Sequence, residues 1–84
     1  MTAPVVVYTT LVCPYCIRAK ALLKERGIAF EEVDVSNDSN KREWLVKTTG
    51  RRTVPQIFIG KESIGGFDDL YALDQSGELA KKLS

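Results

Sequence analysis

Between Val5 and Val35 the chain passes from an apolar strand, through a tetrapeptide holding both of its cysteines, into an amphipathic helix and a second apolar stretch. This order constrains the fold more than any other feature. Val5-Val6-Val7-Tyr8 is β-branched and aromatic with no polar interruption, which suits a short buried strand. From Pro14 onward Ile17, Ala19, Ala21, Leu22 and Leu23 alternate with Arg18, Lys20, Lys24 and Glu25. That pattern predicts a helix with one wide apolar face, which commits Ile17 and Leu22 to the core. Gly27 stops the helix, and residues 28–35 (Ile-Ala-Phe-Glu-Glu-Val-Asp-Val) read as a second strand. A strand, a helix and a strand in so short a span form a right-handed crossover unit, so the two strands pair in parallel.

Downstream, Ser36 to Asn40 is rich in turn residues and caps a second helix over 39–48, ended by Gly50. Trp44, Leu45 and Thr48 form its predicted inward face, with Trp44 read as packing rather than as a ligand contact. Gln56 to Ile59 is a third strand, and Gly60-Lys61 turns it into a fourth, Glu62 to Ile64, as an antiparallel hairpin. Gly65-Gly66 leads into a third helix from Asp68 to Leu73, with a short further turn after Gly77. The expected fold class is α/β: a mixed sheet covered by helices on both faces. Residues 1–84 read as one domain, whose folding buries roughly 60–65% of the unfolded surface. With 44% apolar residues it can build a modest core.

The cysteines decide the chemistry. In Cys13-Pro14-Tyr15-Cys16, Pro14 fits the first helical position, where its missing N–H has no partner to lose. Cys13 then falls at or beside the N-cap, where free backbone N–H groups and the helix dipole favour negative charge. A thiol there ionises more easily than a free one, whose pKa is about 8.5. Cys16 lies one turn on, within disulfide reach. A purely structural disulfide across so small a loop is worth roughly 2 kcal/mol, a poor staple. Zinc needs four ligands, and with no histidine and no third cysteine it requires a dimer. Two inert buried thiols are the third alternative, against which the helix-start position of Cys13 argues. A redox-active pair fits best.

Charge and hydropathy narrow the partners. A formal net charge of +1 argues against nucleic-acid binding. No apolar run approaches the roughly 20 residues of a membrane helix. Met1-Thr2-Ala3-Pro4 lacks the charged start and long apolar stretch of a signal peptide, so a cytoplasmic location is expected.

The strand ending at Tyr8-Thr9, the Cys13–Cys16 tetrapeptide, Thr53-Val54-Pro55 and Gly65-Gly66-Phe67-Asp68-Asp69-Leu70 together resemble the dithiol glutaredoxins of bacteria. The resemblance runs from about Val5 to Leu83, with the motifs in the family's order and separations. It implies a thioredoxin-like fold with sheet order 2-1-3-4, glutathione as reductant and co-substrate, and a monomer. It also implies the site. Val54-Pro55 resembles the family's cis-proline loop, which turns the Val54 backbone outward to pair with glutathione as an added strand. Read without the resemblance, the same proline would be an ordinary trans residue opening the third strand. Gly66 lets the backbone approach the ligand, and the N–H groups of Phe67 and Asp68 receive its γ-glutamyl carboxylate. Asp68 accepts its ammonium group. Asp69 is divided between that role and helix capping.

At the other end the glycyl carboxylate needs a cation, which the resemblance assigns to Arg42, with Arg51 and Arg52 as possible helpers beside Thr53. Tyr15 walls the groove. Two positions depart from the family pattern. Many relatives carry a lysine three residues before the first cysteine, where this chain has Thr10. The lost contact is worth about 0.3–1 kcal/mol, which implies a weaker glutathione site. Phe67 stands where relatives often have cysteine, and only its backbone N–H is required.

The implied reaction is thiol–disulfide exchange. Cys13 thiolate attacks the glutathione sulfur of a glutathionylated protein, and a second glutathione releases it. For protein disulfides Cys16 resolves the mixed disulfide. Glutaredoxin potentials near −200 to −230 mV lie close to the cytosolic glutathione couple. Expected partners are glutathione and disulfide-containing or glutathionylated proteins, ribonucleotide reductase among the candidates. Two alternatives stand beside this: an electron donor reduced by thioredoxin reductase, and a dimer holding a glutathione-ligated [2Fe–2S] cluster.

Overall fold

The computed structural model describes residues 3–83. Met1 and Thr2, part of the stretch read for the absence of a signal peptide, and Ser84 at the end of the predicted domain lie outside the described residues. The elements in chain order are β1 (Val5–Thr9), α1 (Pro14–Glu25), β2 (Glu31–Asp34), α2 (Ser39–Thr49), β3 (Gln56–Ile59), β4 (Glu62–Gly65), α3 (Phe67–Ser76) and α4 (Glu78–Leu83). The sheet order is β2-β1-β3-β4. β1 pairs with β2 in parallel, Val6 opposite Glu31 through Thr9 opposite Asp34, and with β3 antiparallel. The predicted mixed sheet and its order are those observed.

Alternation along the two central strands sorts their side chains. Val5 and Val7 of β1 and Ile57 and Ile59 of β3 join Ala19, Leu22 and Leu23 of α1, Leu70 of α3 and Leu79 of α4 in one core. On the opposite face Phe58 packs with Val35 and Leu45, and Tyr8, Val33 and Val54 close around them. Helices therefore cover both faces, and β3, buried along its length, is the strand whose residues are apolar almost without break.

Four local expectations change. Ile17 is 64% exposed rather than core. The inward stripe of α1 runs through Cys16, Ala19, Leu22 and Leu23, and Ile17 and Ala21 fall outside it. The second strand is shorter than 28–35 because β1 offers a ladder only to Glu31–Asp34; Ile28 and Phe30 still pack on the core from the connection before it. On α2, Leu45 points inward while Thr48 is exposed. Trp44 is 42% exposed and lies across the rings of Tyr8 and Phe58, each 5.9 Å away, so its role is packing at the rim. Finally, α3 begins at Phe67 and runs to Ser76, where Gly77 at φ 83° ends it.

Candidate functional site

The sequence builds the site where three chain turns meet at one end of the sheet. The first is the start of α1. Cys13 is its N-cap residue in extended conformation, with Pro14 opening the helix. The Cys16 N–H donates to Cys13 Sγ at 3.0 Å, so the sulfur occupies the acceptor position that a serine or aspartate fills at other helix starts. The two cysteines are joined as a disulfide, with Cα atoms 5.2 Å apart. Cys16 is buried and Cys13 is 8% exposed. Of the two sulfurs, only that of Cys13 has its own residue at the helix start, where the first-turn N–H groups and the dipole stabilise a thiolate.

The second turn precedes β3. The Val54–Pro55 peptide is cis, as the family resemblance implied and as the residues by themselves did not. The Val54 carbonyl oxygen lies 3.7 Å from Cys13 Sγ. Gln56 pins this loop from beneath: its Nε2 donates to the Arg51 carbonyl at 2.8 Å, and Thr49 Oγ1 accepts from the Arg51 N–H at 3.1 Å.

The third turn is Gly65-Gly66. Gly65, at φ 114°, holds a conformation that favours glycine, and a Cβ there would meet the Asp69 carboxylate and the Arg51 guanidinium. A Cβ at Gly66 would come within 3.5 Å of the Pro55 carbonyl oxygen, an ordinary contact distance. Asp69 accepts from the Gly66 N–H at 3.0 Å and pairs with Arg51 at 3.0 Å. The Gly66 N–H, and after it the Arg51 guanidinium, hold the Asp69 carboxyl below its ordinary pKa. Of the two roles considered for Asp69, capping is the one its contacts display. The N–H groups of Phe67 and Asp68 belong to the first turn of α3, which has no carbonyl of its own to offer them.

The remaining predicted residues fall on two sides of Cys13. On one side the Tyr15 ring, 53% exposed, stands 6.3 Å from that of Phe67, with the Arg18 guanidinium 5.3 Å over its face. On the other side Thr10, Arg42, Arg51, Arg52, Thr53 and Val54 line a single open cavity of about 680 Å³. The three turns thus bring together Cys13, Cys16, Val54, Pro55 and Gly66, with Tyr15 and Phe67 adjoining. Arg42, on α2, lines the same cavity as Thr53 in the loop that follows that helix. Sequence reading missed the pinning role of Gln56, although a lone polar residue in an otherwise apolar strand was a usable signal. The Arg51–Asp69 pair, 18 residues apart in sequence, left none.

Residues 5–64 match the glutaredoxin family. Glutaredoxin 3 of Escherichia coli (strain K12) is 54% identical over 77 residues, covering 92% of this chain and 93% of its own. The glutaredoxin of Pseudomonas aeruginosa is 49% identical over 81 residues, 96% of each chain. Among solved structures, a dithiolic glutaredoxin from Trypanosoma brucei brucei superposes with a TM-score of 0.89 at 39% identity, over 98% of this chain and 88% of that one. A buckwheat glutaredoxin–glutathione complex superposes with a TM-score of 0.89 at 33% identity, over 96% and 76%. With its thioredoxin-like sheet and a disulfide-forming cysteine pair at the start of α1, this chain belongs to the glutaredoxin family of thiol–disulfide oxidoreductases.

Proposed function

We propose that the chain is a glutathione-dependent oxidoreductase in which Cys13 is the nucleophile and Cys16 the resolving thiol. The observation that carries this reading is the setting of Cys13: N-cap of α1, an N–H donor at 3.0 Å, and the Val54 carbonyl at 3.7 Å beside a cis-proline. The donor and the helix start stabilise the thiolate. The backbone of Val54, a half-buried residue that lines the open cavity, offers an extended peptide a strand to pair with. In the reduced chain Cys13 Sγ attacks the glutathione sulfur of a mixed disulfide, and the protein thiolate leaves with the bonding electron pair. A second glutathione thiolate then attacks the same glutathione sulfur, giving oxidised glutathione and free Cys13. With a protein disulfide, Cys16 displaces the protein from Cys13 and closes the disulfide seen here.

Glutathione fits across the three turns with its cysteine at Cys13 and its backbone along Val54. Its γ-glutamyl carboxylate meets the N–H groups of Phe67 and Asp68, and its glycyl carboxylate turns toward Arg42. Tyr15 and Phe67 wall the groove. A related buckwheat glutaredoxin is known in complex with glutathione, which supports this ligand. Since Asp69 is engaged by Gly66 and Arg51, Asp68 is the carboxylate left for the ammonium group. Such a protein acts where glutathione is abundant and reduced, consistent with a cytoplasmic location.

The test is a pair of variants. Cys13→Ser abolishes release of glutathione from a glutathionylated protein and reduction of a protein disulfide alike. Cys16→Ser abolishes only the second. Retained deglutathionylation in Cys13→Ser would contradict the assignment of the nucleophile.

A further inference from the structure

We propose that the cavity between α2 and the 51–54 loop selects peptide substrates that carry acidic residues after their reactive cysteine. The inference rests on the glutathione reading, which sets the direction of the ligand: cysteine at Cys13, following residues along Val54 and toward Arg42.

The first argument is one of space. Gly66, Phe67 and Asp68, the predicted seat of the γ-glutamyl group, do not line this cavity, and neither does Tyr15. Only the glycyl end of glutathione enters it. That end is a nitrogen, a methylene and a carboxylate, whereas the cavity measures about 680 Å³, a volume that accommodates a far larger ligand. Most of the space therefore lies beyond the end of a tripeptide.

The second argument is charge. Arg42, Lys47, Arg51 and Arg52 line the cavity, with Glu43 as the acidic residue among its lining. Lys47 lies 3.6 Å from Glu43 and Arg51 lies 3.0 Å from Asp69, so those two cations are partly neutralised. Arg42 and Arg52 form no ion pair among the described residues. Arg42 acts on the Asp34 carboxyl through space, without direct contact. Two exposed guanidiniums thus line the cavity with no direct carboxylate contact among the described residues.

The third argument is the route. Val54 both touches Cys13 through its carbonyl and lines the cavity. An extended peptide advances about 3.3 Å per residue. The residue after the attacked cysteine therefore reaches the mouth of the cavity at Val54, and the second and later ones lie deeper in it. A protein disulfide in an extended segment of the form Cys-x-Glu or Cys-x-Asp places its carboxylates against Arg42 and Arg52. Lysines in the same place are repelled.

The experiment uses the reduced Cys16→Ser chain. Two peptides, acetyl-Ala-Cys-Gly-Glu-Glu-amide and acetyl-Ala-Cys-Gly-Lys-Lys-amide, are each presented as the mixed disulfide with thionitrobenzoate. Cys13 thiolate attacks the peptide sulfur, the sulfur–sulfur bond breaks, and thionitrobenzoate leaves with the electron pair and is read by its absorbance. Mass spectrometry confirms the chain–peptide adduct. At low ionic strength the acidic peptide reacts about fivefold to tenfold faster, and the ratio shrinks with added salt. Arg52→Glu narrows the ratio. Lys24→Glu, an equal change of net charge on the exposed end of α1, leaves it in place. Equal rates for the two peptides, or equal effects of the two charge reversals, would overturn the proposal. The mixed disulfides of glutathione and of Gly-Cys-Gly are run alongside. Faster reaction of glutathione together with equal rates for the charged peptides overturns this inference alone. No preference for glutathione overturns the direction on which it rests.

Discussion

Under α1 and α3 the sheet carries a deep apolar layer, with Val7, Leu23, Ile57 and Leu70 shielded almost completely from solvent. Under α2 the buried cluster is small, built from Val35, Leu45 and Phe58, and beside it opens the cavity lined by Arg42 and Val54. The first face supplies stability and holds the cysteine pair at the head of α1. The second face keeps an open cavity instead. The site lies at the seam: the α1 side brings the sulfur, the α2 side brings Val54 and the cations, and the Arg51–Asp69 pair ties the loop before β3 to the start of α3. In the proposed reading the thiol chemistry and the glycyl end of the ligand thereby rest on different supports, so a change to one need not disturb the other.

The largest effect expected from breaking this division comes from the deep face. Leu23, 1% exposed, is central to its core. Leu23→Ala costs about 2–5 kcal/mol in urea unfolding, through lost transfer energy and the cavity left behind. In folded protein the glutathione-coupled turnover stays near that of the parent chain. A loss under about 1 kcal/mol would show that the core is not concentrated there.

A smaller effect follows at the seam. Gly65→Ala places a Cβ against Asp69 and Arg51 at a φ of 114°. Relief requires the ion pair to open or the turn to shift, at a cost of about 1–3 kcal/mol. Because Gly66 and the start of α3 move with it, weaker glutathione binding is expected alongside lower stability. Lower stability with unchanged binding would detach the Arg51–Asp69 tie from the ligand groove.

The smallest effect is a matter of pH. Asp69 has its folded pKa held below the ordinary value, by the Gly66 N–H first and Arg51 second. Its contribution to stability is complete above the unfolded carboxylate pKa, about 3.9, and disappears as pH falls through the lower folded value. Asp69→Asn therefore destabilises the chain at neutral pH and flattens the decline in melting temperature below about pH 4. An acid limb identical to that of the parent chain would mean that Asp69 is not held as its contacts imply.

The same seam marks the limit of what the sequence displays. β1, the helix start at Pro14, β3 and the β3–β4 hairpin are legible because each follows from local chemistry: β-branched runs, a proline at a helix start, a glycine turn. Cys13 as N-cap is legible for the same reason. The exposure of Ile17 is not, because an apolar residue one position off the inward stripe looks like part of a wide face until the sheet fixes the rotation of α1. The cis bond at Pro55 came through family resemblance, since nothing in the Val-Pro dipeptide demands it. The Arg51–Asp69 pair and the cationic cavity arise only when α2, the 51–54 loop and α3 are brought together, and no spacing along the chain encodes that meeting.

The central claim, a Cys13 thiol cycled by glutathione, is tested most directly by NADPH consumption with a glutathionylated protein substrate. The parent chain is supplied either with glutathione and glutathione reductase or with thioredoxin reductase. Turnover with the glutathione system and none with thioredoxin reductase is the predicted result. Turnover with thioredoxin reductase alone would contradict the account, and would mean that the Val54 strand and the Gly66–Asp68 turn serve some ligand other than glutathione.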